Sequence, residues 1–135
     1  MNELTVEATP ENIQVITAFV DEQLEQYDCP MKAQAQIDIA IDELFGNIVR
    51  YAYHPEIGSA TVQVEVVEEP LAVVITFIDQ GKPYDPLAKE DPNVTLSAEE
   101  REVGGLGIYI VKKSMNAITY EYKDGRNILK IRKDF

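Results

Sequence analysis

The chain has 135 residues, and its 24 Asp and Glu outweigh 12 Lys and Arg to give a formal charge of −12. That balance excludes a protein built to cover nucleic acid, which needs basic surface to displace phosphate counterions, and equally one that lies on an anionic membrane. Hydrophobic residues make up 45% and charged residues 27%, which suits one ordinary domain, residues 1–135, with a real core.

No apolar run approaches the ~18 residues of a membrane span. The start, MNELTVEATPEN, lacks the basic-then-apolar pattern of a secretion leader. Cys29 is the only cysteine and His54 the only histidine. A disulfide within the chain and a Cys/His metal site are therefore excluded, and a reducing, cytoplasmic setting is expected.

In chain order, Leu4-Thr5-Val6 alternates as a short edge strand. Thr9-Pro10-Glu11 reads as a helix start, with Thr9 at the cap, proline at the first helical position and an acid in the first turn. Ile13, Ile16, Val20 and Leu24 then form the helical stripe. Pro30 opens a second helix that is expected to run from about Met31 to Tyr53, until His54-Pro55-Glu56-Ile57-Gly58 breaks it. This helix has two faces. Ile37, Ile41, Leu44, Ile48 and Tyr51 recur at steps of three and four as a core stripe. Beside them lie Glu43, Asn47 and Arg50, a carboxylate, an amide and a guanidinium on one flank. That flank could handle a phosphate, or be a solvated face with an intrahelical pair between Glu43 and Asn47 or Arg50.

Strands are expected at Ala60–Glu68 and Leu71–Asp79, joined at Glu69-Pro70. Two more, Ala117–Lys123 and Asn127–Lys133, flank the hairpin dipeptide Asp124-Gly125. Between these pairs lies Gln80–Val103, rich in Pro83, Pro86, Pro92 and charge. A connection of that length closes over something or is disordered, so residues 80–104 are assigned as a lid. A short helix, Ile108–Met115, comes after it. Hairpins dominate, which predicts an α+β fold: a two-layer sandwich with a mostly antiparallel, mixed sheet and helices on one face.

Two further stretches can carry chemistry. Asp79-Gln80-Gly81 ends a strong strand; its carboxylate could accept from an exocyclic amine and its glycine could let a flat ring approach, or it could be a plain turn. Gly104-Gly105-Leu106-Gly107 precedes a helix, where backbone N–H groups and the helix dipole can approach an anion, or where a lid can hinge. No Gly-Lys-Ser/Thr follows, so it is not a Walker loop, and no strand runs into it as the dinucleotide fingerprint requires. His54 reads as a helix-end residue, the tyrosines as packing and sheet residues, and the acidic run Ala98–Glu102 as a solvated part of the lid.

In this order the three motifs Glu43-Leu-Phe-Gly-Asn47, Asp79-Gln-Gly-Lys-Pro-Tyr-Asp-Pro86 and Gly104-Gly-Leu-Gly-Ile108 resemble the ATPase superfamily of histidine kinases, DNA gyrase and mismatch-repair ATPases. The closing Tyr120–Ile131 hairpin is also similar. Within the superfamily the chain looks most like the anti-sigma factor serine/threonine kinases of bacterial partner switches. The resemblance implies ATP and Mg²⁺ as cofactors. It implies that Asn47 holds Mg²⁺, that Glu43 is the general base, that Asp79 binds the adenine amine with Gly81 giving the ring room, and that Gly104, Gly105, Leu106 and Gly107 meet the phosphates. The kinases of this kind carry a basic residue close before the glycines. Here Glu102 and Val103 stand there, leaving Arg101 as the nearest candidate for the γ-phosphate, with Arg50 and Lys82 as others.

The implied partners are an anti-sigma-factor antagonist protein as substrate and a sigma factor or similar regulator, with no nucleic acid and no membrane. Relatives often pair as homodimers, for which a sheet edge or the first helix could serve. With Phe135 as the last residue, the dimerisation and phosphoacceptor helices of a histidine kinase and the second domain of gyrase-like ATPases are not expected. The competing expectation is a nucleotide-gated protein-binding module without useful kinase activity.

Overall fold

The computed structural model describes residues 1–88 and 105–135. Among them run β1 (Asn2–Glu7), α1 (Asn12–Leu24), α2 (Met31–Asn47), β2 (Ser59–Val67), β3 (Ala72–Asp79), α3 (Gly105–Ser114), β4 (Ala117–Lys123) and β5 (Arg126–Asp134). The strands form one sheet in the order β1-β2-β3-β5-β4. All four pairings are antiparallel, so the parallel component expected of a mixed sheet is absent from the described residues.

The period-two pattern of the strands sets the layers. Val62, Val64, Val73, Ile75, Phe77, Leu129 and Ile131 are buried, while their neighbours Gln63, Glu65 and Lys130 face the other way. The buried set packs with Ile16, Val20 and Leu24 of α1, Ile37, Ile41, Leu44 and Phe45 of α2, and Val111 of α3. These are the apolar stripes of amphipathic helices, so all three helices cover one face of the sheet. Central α2 touches both α1 and α3. No helix among the described residues is long and apolar enough to cross a membrane.

Three helix boundaries differ from expectation, the simplest being α3, which starts at Gly105 and not at Ile108, so that Gly105 and Gly107 lie within its first turn. Thr9 does not cap α1. Residues 9–11 form a separate turn, in which Asn12 N donates to Thr9 O at 3.1 Å, and the Asn12 amide reaches back to the Glu7 carbonyl at 2.8 Å. The helix itself begins at Asn12. The second helix does not stay α-helical to Tyr53: it ends at Asn47 and widens into a π turn over Ile48–Ala52. The wider turn carries Tyr51 off the core stripe, leaving it 44% exposed with its ring centroid 5.1 Å from that of Tyr84.

The β4–β5 connection behaves as its dipeptide requires, with φ of 54° at Asp124 and 77° at Gly125, the paired positive values of a tight hairpin turn. The first part of the expected lid is tied to the domain. Lys82 N donates to Ala52 O at 2.9 Å, Tyr84 N to Asn127 Oδ1 at 3.1 Å, and Pro86 is buried. The remainder of the lid lies outside the described residues.

Across the α1–α2 contact, Gln34 donates to both Asp21 and Asp38. Burial, then the adjoining Asp38 carboxyl, lifts Asp21 from 3.8 to about 6. A carboxyl with a raised folded-state pKa holds its proton more tightly folded than unfolded, so its stabilising effect is present at low pH and fades as pH rises through the folded value. The thermal midpoint is therefore expected to rise between pH 7 and pH 5. In Asp38→Asn this dependence should flatten; an unchanged profile in that variant would assign the effect to other groups.

Candidate active site

The π turn is where the site begins. A wide turn breaks the regular hydrogen-bond ladder and re-aims the side chains beyond it, and such turns recur at functional sites. Here the Ala52 carbonyl accepts from Lys82 N, which docks the end of β3 onto the end of the helix. Tyr53 completes the junction, its hydroxyl donating to Ser59 O and accepting from Gln80 N, each at 2.7 Å. Gly81 is required by this approach, since a Cβ there would overlap the Ala52 carbonyl. The glycine thus has a packing role besides the room for a ring that its position suggests.

Between the helix end and the sheet lies a cleft whose lining includes Asn47, Tyr51, Phe77, Asp79, Tyr84 and Asn127. At its sheet end Asp79 is only 6% exposed. Its Oδ1 accepts from Gly81 N and from Asn127 Nδ2, both at 2.9 Å. Burial raises the Asp79 pKa, and these two donors pull against it. With both bonds on one oxygen, the other remains for a ligand donor.

Asn127 organises this end, and the sequence pattern alone did not single it out. Its amide nitrogen also reaches Lys82 O at 2.8 Å, while its oxygen accepts from Tyr84 N and the Tyr120 hydroxyl. A buried polar residue on an otherwise inward apolar strand face, Asn127–Leu129–Ile131, is the signal that could have found it.

The helix end carries the other groups. Glu43, Asn47 and Arg50 share one flank, as their spacing predicts, but the intrahelical bond runs from Arg50 to Asn47 Oδ1 at 2.7 Å and does not involve Glu43. Asn47 is 8% exposed, and its Nδ2 is buried without a partner among the described residues. An unmade bond of this kind costs about 1–3 kcal/mol unless a ligand supplies the acceptor. Glu43 is half-buried, and burial raises its pKa against the lowering effect of Arg50, with Asp42 adding to the rise. Its carboxylate lies against Gly107 in the first turn of α3, where any Cβ would overlap it. The glycine motif and the acid of α2 are thus brought together.

The remaining candidates divide. Gly105 begins α3, and Leu106 comes next, 40% exposed. Lys82 borders the cleft, but its ammonium donates to the His54 carbonyl at 3.1 Å. Arg101 and Gly104 lie outside the described residues, as do Glu102 and Val103.

The donor set fits a magnesium nucleotide. Among the described residues no cluster of three or more acids, histidines or cysteines could hold a metal alone. A hard cation would take one oxygen from Asn47 and the rest from phosphates and water, as Mg²⁺ commonly does.

Comparison with known proteins agrees with this geometry. The family described as histidine kinase-like ATPase domain matches residues 6–133. Serine/threonine-protein kinase BtrW of Bordetella bronchiseptica is 28% identical over 93 residues, covering 69% of this chain and 65% of that protein. Serine-protein kinase RsbW of Listeria innocua is 26% identical over 103 residues, covering 73% of this chain and 64% of its own length. RsbW of Bacillus cereus is 28% identical over 95 residues, 67% of this chain and 58% of that one. The chain thus spans somewhat under two thirds of these relatives. In fold it resembles the Acinetobacter baumannii histidine kinase AdeS, with a TM-score of 0.50 at 15% identity over 99% of this chain and 68% of that one.

Proposed function

The chain belongs to the histidine kinase-like ATPase domain family, and from that membership we propose that it is an ATP-dependent protein kinase. It transfers the γ-phosphoryl group of ATP to a serine or threonine of an anti-sigma-factor antagonist, and binds a sigma factor or similar regulator as the other arm of a partner switch. The observation that carries this reading is the meeting of Glu43 with Gly107, one helical turn from Asn47, which lines the same cleft as Asp79. The serine kinases among its relatives support the choice of reaction.

In this reading the second oxygen of Asp79 accepts from the adenine amine, and Phe77 and Leu129 pack beside the ring. Gly105 and Gly107 leave the phosphates free access to backbone N–H groups at the start of α3. Asn47 would hold Mg²⁺ through its amide oxygen, and the ion would supply charge neutralisation to the phosphates. Glu43 takes the proton from the substrate hydroxyl as its oxygen bonds to the γ-phosphorus and the bond to the bridging oxygen of ADP breaks. Burial makes Glu43 a stronger base than an exposed glutamate.

Calorimetric titration with ATP and ADP, with and without Mg²⁺, tests the cleft. Wild type is expected to bind both nucleotides more tightly with Mg²⁺, and Asn47→Ala to lose about tenfold of that gain, the scale of one ionic contact. No binding at millimolar nucleotide would end the proposal. Tight binding without phosphoryl transfer to an antagonist protein would favour the nucleotide-gated binding module, a reading that draws on Lys82 already holding the His54 carbonyl.

A further inference from the structure

Asn47 and Arg50 stand three residues apart across the start of the π turn, and their contact is unusual in what it leaves undone. The amide oxygen is occupied by the guanidinium while the amide nitrogen has no acceptor among the described residues. This orientation is fixed by chemistry, since a guanidinium only donates and the atom facing it must be the oxygen. Arg50 makes no ion pair within 4 Å among the described residues, and its side chain is otherwise held only by the Tyr51 ring, 5.7 Å from the guanidinium carbon. It folds back over Gly46, where a Cβ would stand 3.1 Å from a guanidinium nitrogen. The glycine leaves the arginine a seat on the helix surface from which it reaches the amide.

We propose that Arg50 is a built-in competitor for the oxygen of Asn47 that a nucleotide-bound divalent cation needs. The inference rests on the reading of Asn47 as the residue that holds the metal. A guanidinium hydrogen-bonded to an amide oxygen and a cation about 2.1 Å from the same oxygen exclude each other by size and by charge. The metal therefore enters by displacing Arg50. The displaced guanidinium stays on the flank it shares with Glu43, whose carboxylate already feels its charge. Empty, the cleft carries a cation in place; filled, it exchanges that cation for the one brought by the nucleotide. The metal requirement of nucleotide binding is thereby set higher than the Asn47 amide alone would set it.

The test is ADP binding to the full chain across a series of free Mg²⁺ concentrations, for wild type, Arg50→Met and Arg50→Lys. ADP without Mg²⁺ serves as the control that the cleft is intact, and the thermal midpoint as the control for folding. Arg50→Met should reach half of its Mg²⁺-dependent gain at about fivefold to tenfold less Mg²⁺ than wild type, the scale of one charge-assisted hydrogen bond removed. Arg50→Lys keeps a cation but loses the planar fork, and should fall between the two. In nitrogen-15 spectra without nucleotide, the Asn47 side-chain amide signals should move in Arg50→Met, which a remote structural effect would not single out. An unchanged or higher Mg²⁺ requirement in both variants, with Mg²⁺-free ADP binding retained, overturns the competitor and leaves the nucleotide reading standing. Absence of ADP binding in wild type overturns both.

Discussion

Glu43→Gln is expected to lose phosphoryl transfer by about 10²–10⁴-fold, the usual contribution of a positioned general base, while ADP affinity stays within about twofold. The substitution keeps the shape of the side chain that lies against Gly107 and removes only its ability to take a proton. Because Glu43 is half-buried and not part of the cleft wall around Asp79, the change should not disturb the base-binding end. The pH profile of wild-type transfer gives the sign. Burial raises the Glu43 pKa, so the rate should fall as pH drops through that raised value and Glu43 takes up its proton before meeting the substrate. Single-turnover transfer from radiolabelled ATP to the antagonist protein measures both. Transfer at the wild-type rate in Glu43→Gln would remove Glu43 from the role of base and turn attention to Asp42, its exposed neighbour.

The second large effect is expected at Asn127. Asn127→Ala should cost about 2–4 kcal/mol of folding stability and about tenfold or more in ADP affinity, because several partners, the buried Asp79 among them, lose a bond at once. Asp79 Oδ1, Lys82 O, Tyr84 N and the Tyr120 hydroxyl all meet this one amide. The affinity loss should also carry a pH signature. Burial raises the Asp79 pKa and the Asn127 donor opposes that rise, so without the donor the pKa climbs further. Asp79 accepts more strongly from an exocyclic amine when ionised, so the pH below which ADP binding weakens should move upward in the variant. Urea unfolding and calorimetry at two pH values read the two effects separately. A variant with wild-type ADP affinity at every pH would mean that Gly81 N alone holds the carboxylate in place.

Glu43 and Asn127 differ in how visible they are in the sequence. Glu43 is legible because a helix repeats every 3.6 residues, and Asn47 and Arg50 fall on its flank. The helix bodies, the hairpin at Asp124-Gly125 and the burial of one sheet face come from equally local rules. The features that the pattern misses are set by tertiary contact. The π turn has no local signature in Ile48–Ala52, residues that would equally continue an α-helix. Its end is met by Lys82 and Gly81, far downstream, which dock on the Ala52 carbonyl. Tyr51, within that turn, leaves the expected core stripe for the ring of Tyr84. Asn127 is hidden because its partners come from β3, β4 and the connection after β3, and no periodicity records a network spread over so many segments. The Arg50–Asn47 bond is not among the expected pairings, both of which involve Glu43, because spacing cannot say which neighbour takes the amide.

The π turn also changes how this segment can vary over time. An ordinary surface helix tolerates substitution along its exposed side and resists little else. Here the residues Ile48–Ala52 fit one more residue into the turn than a regular helix would use, and both ends are pinned, one by the buried amide of Asn47 and the other by the Tyr53 hydroxyl between Ser59 and Gln80. Losing a single residue would restore a regular helix and rotate one anchor by about 100° relative to the other. Side chains between the anchors are therefore free to drift while their number is not, and relatives that keep the cleft should differ here in composition but not in length.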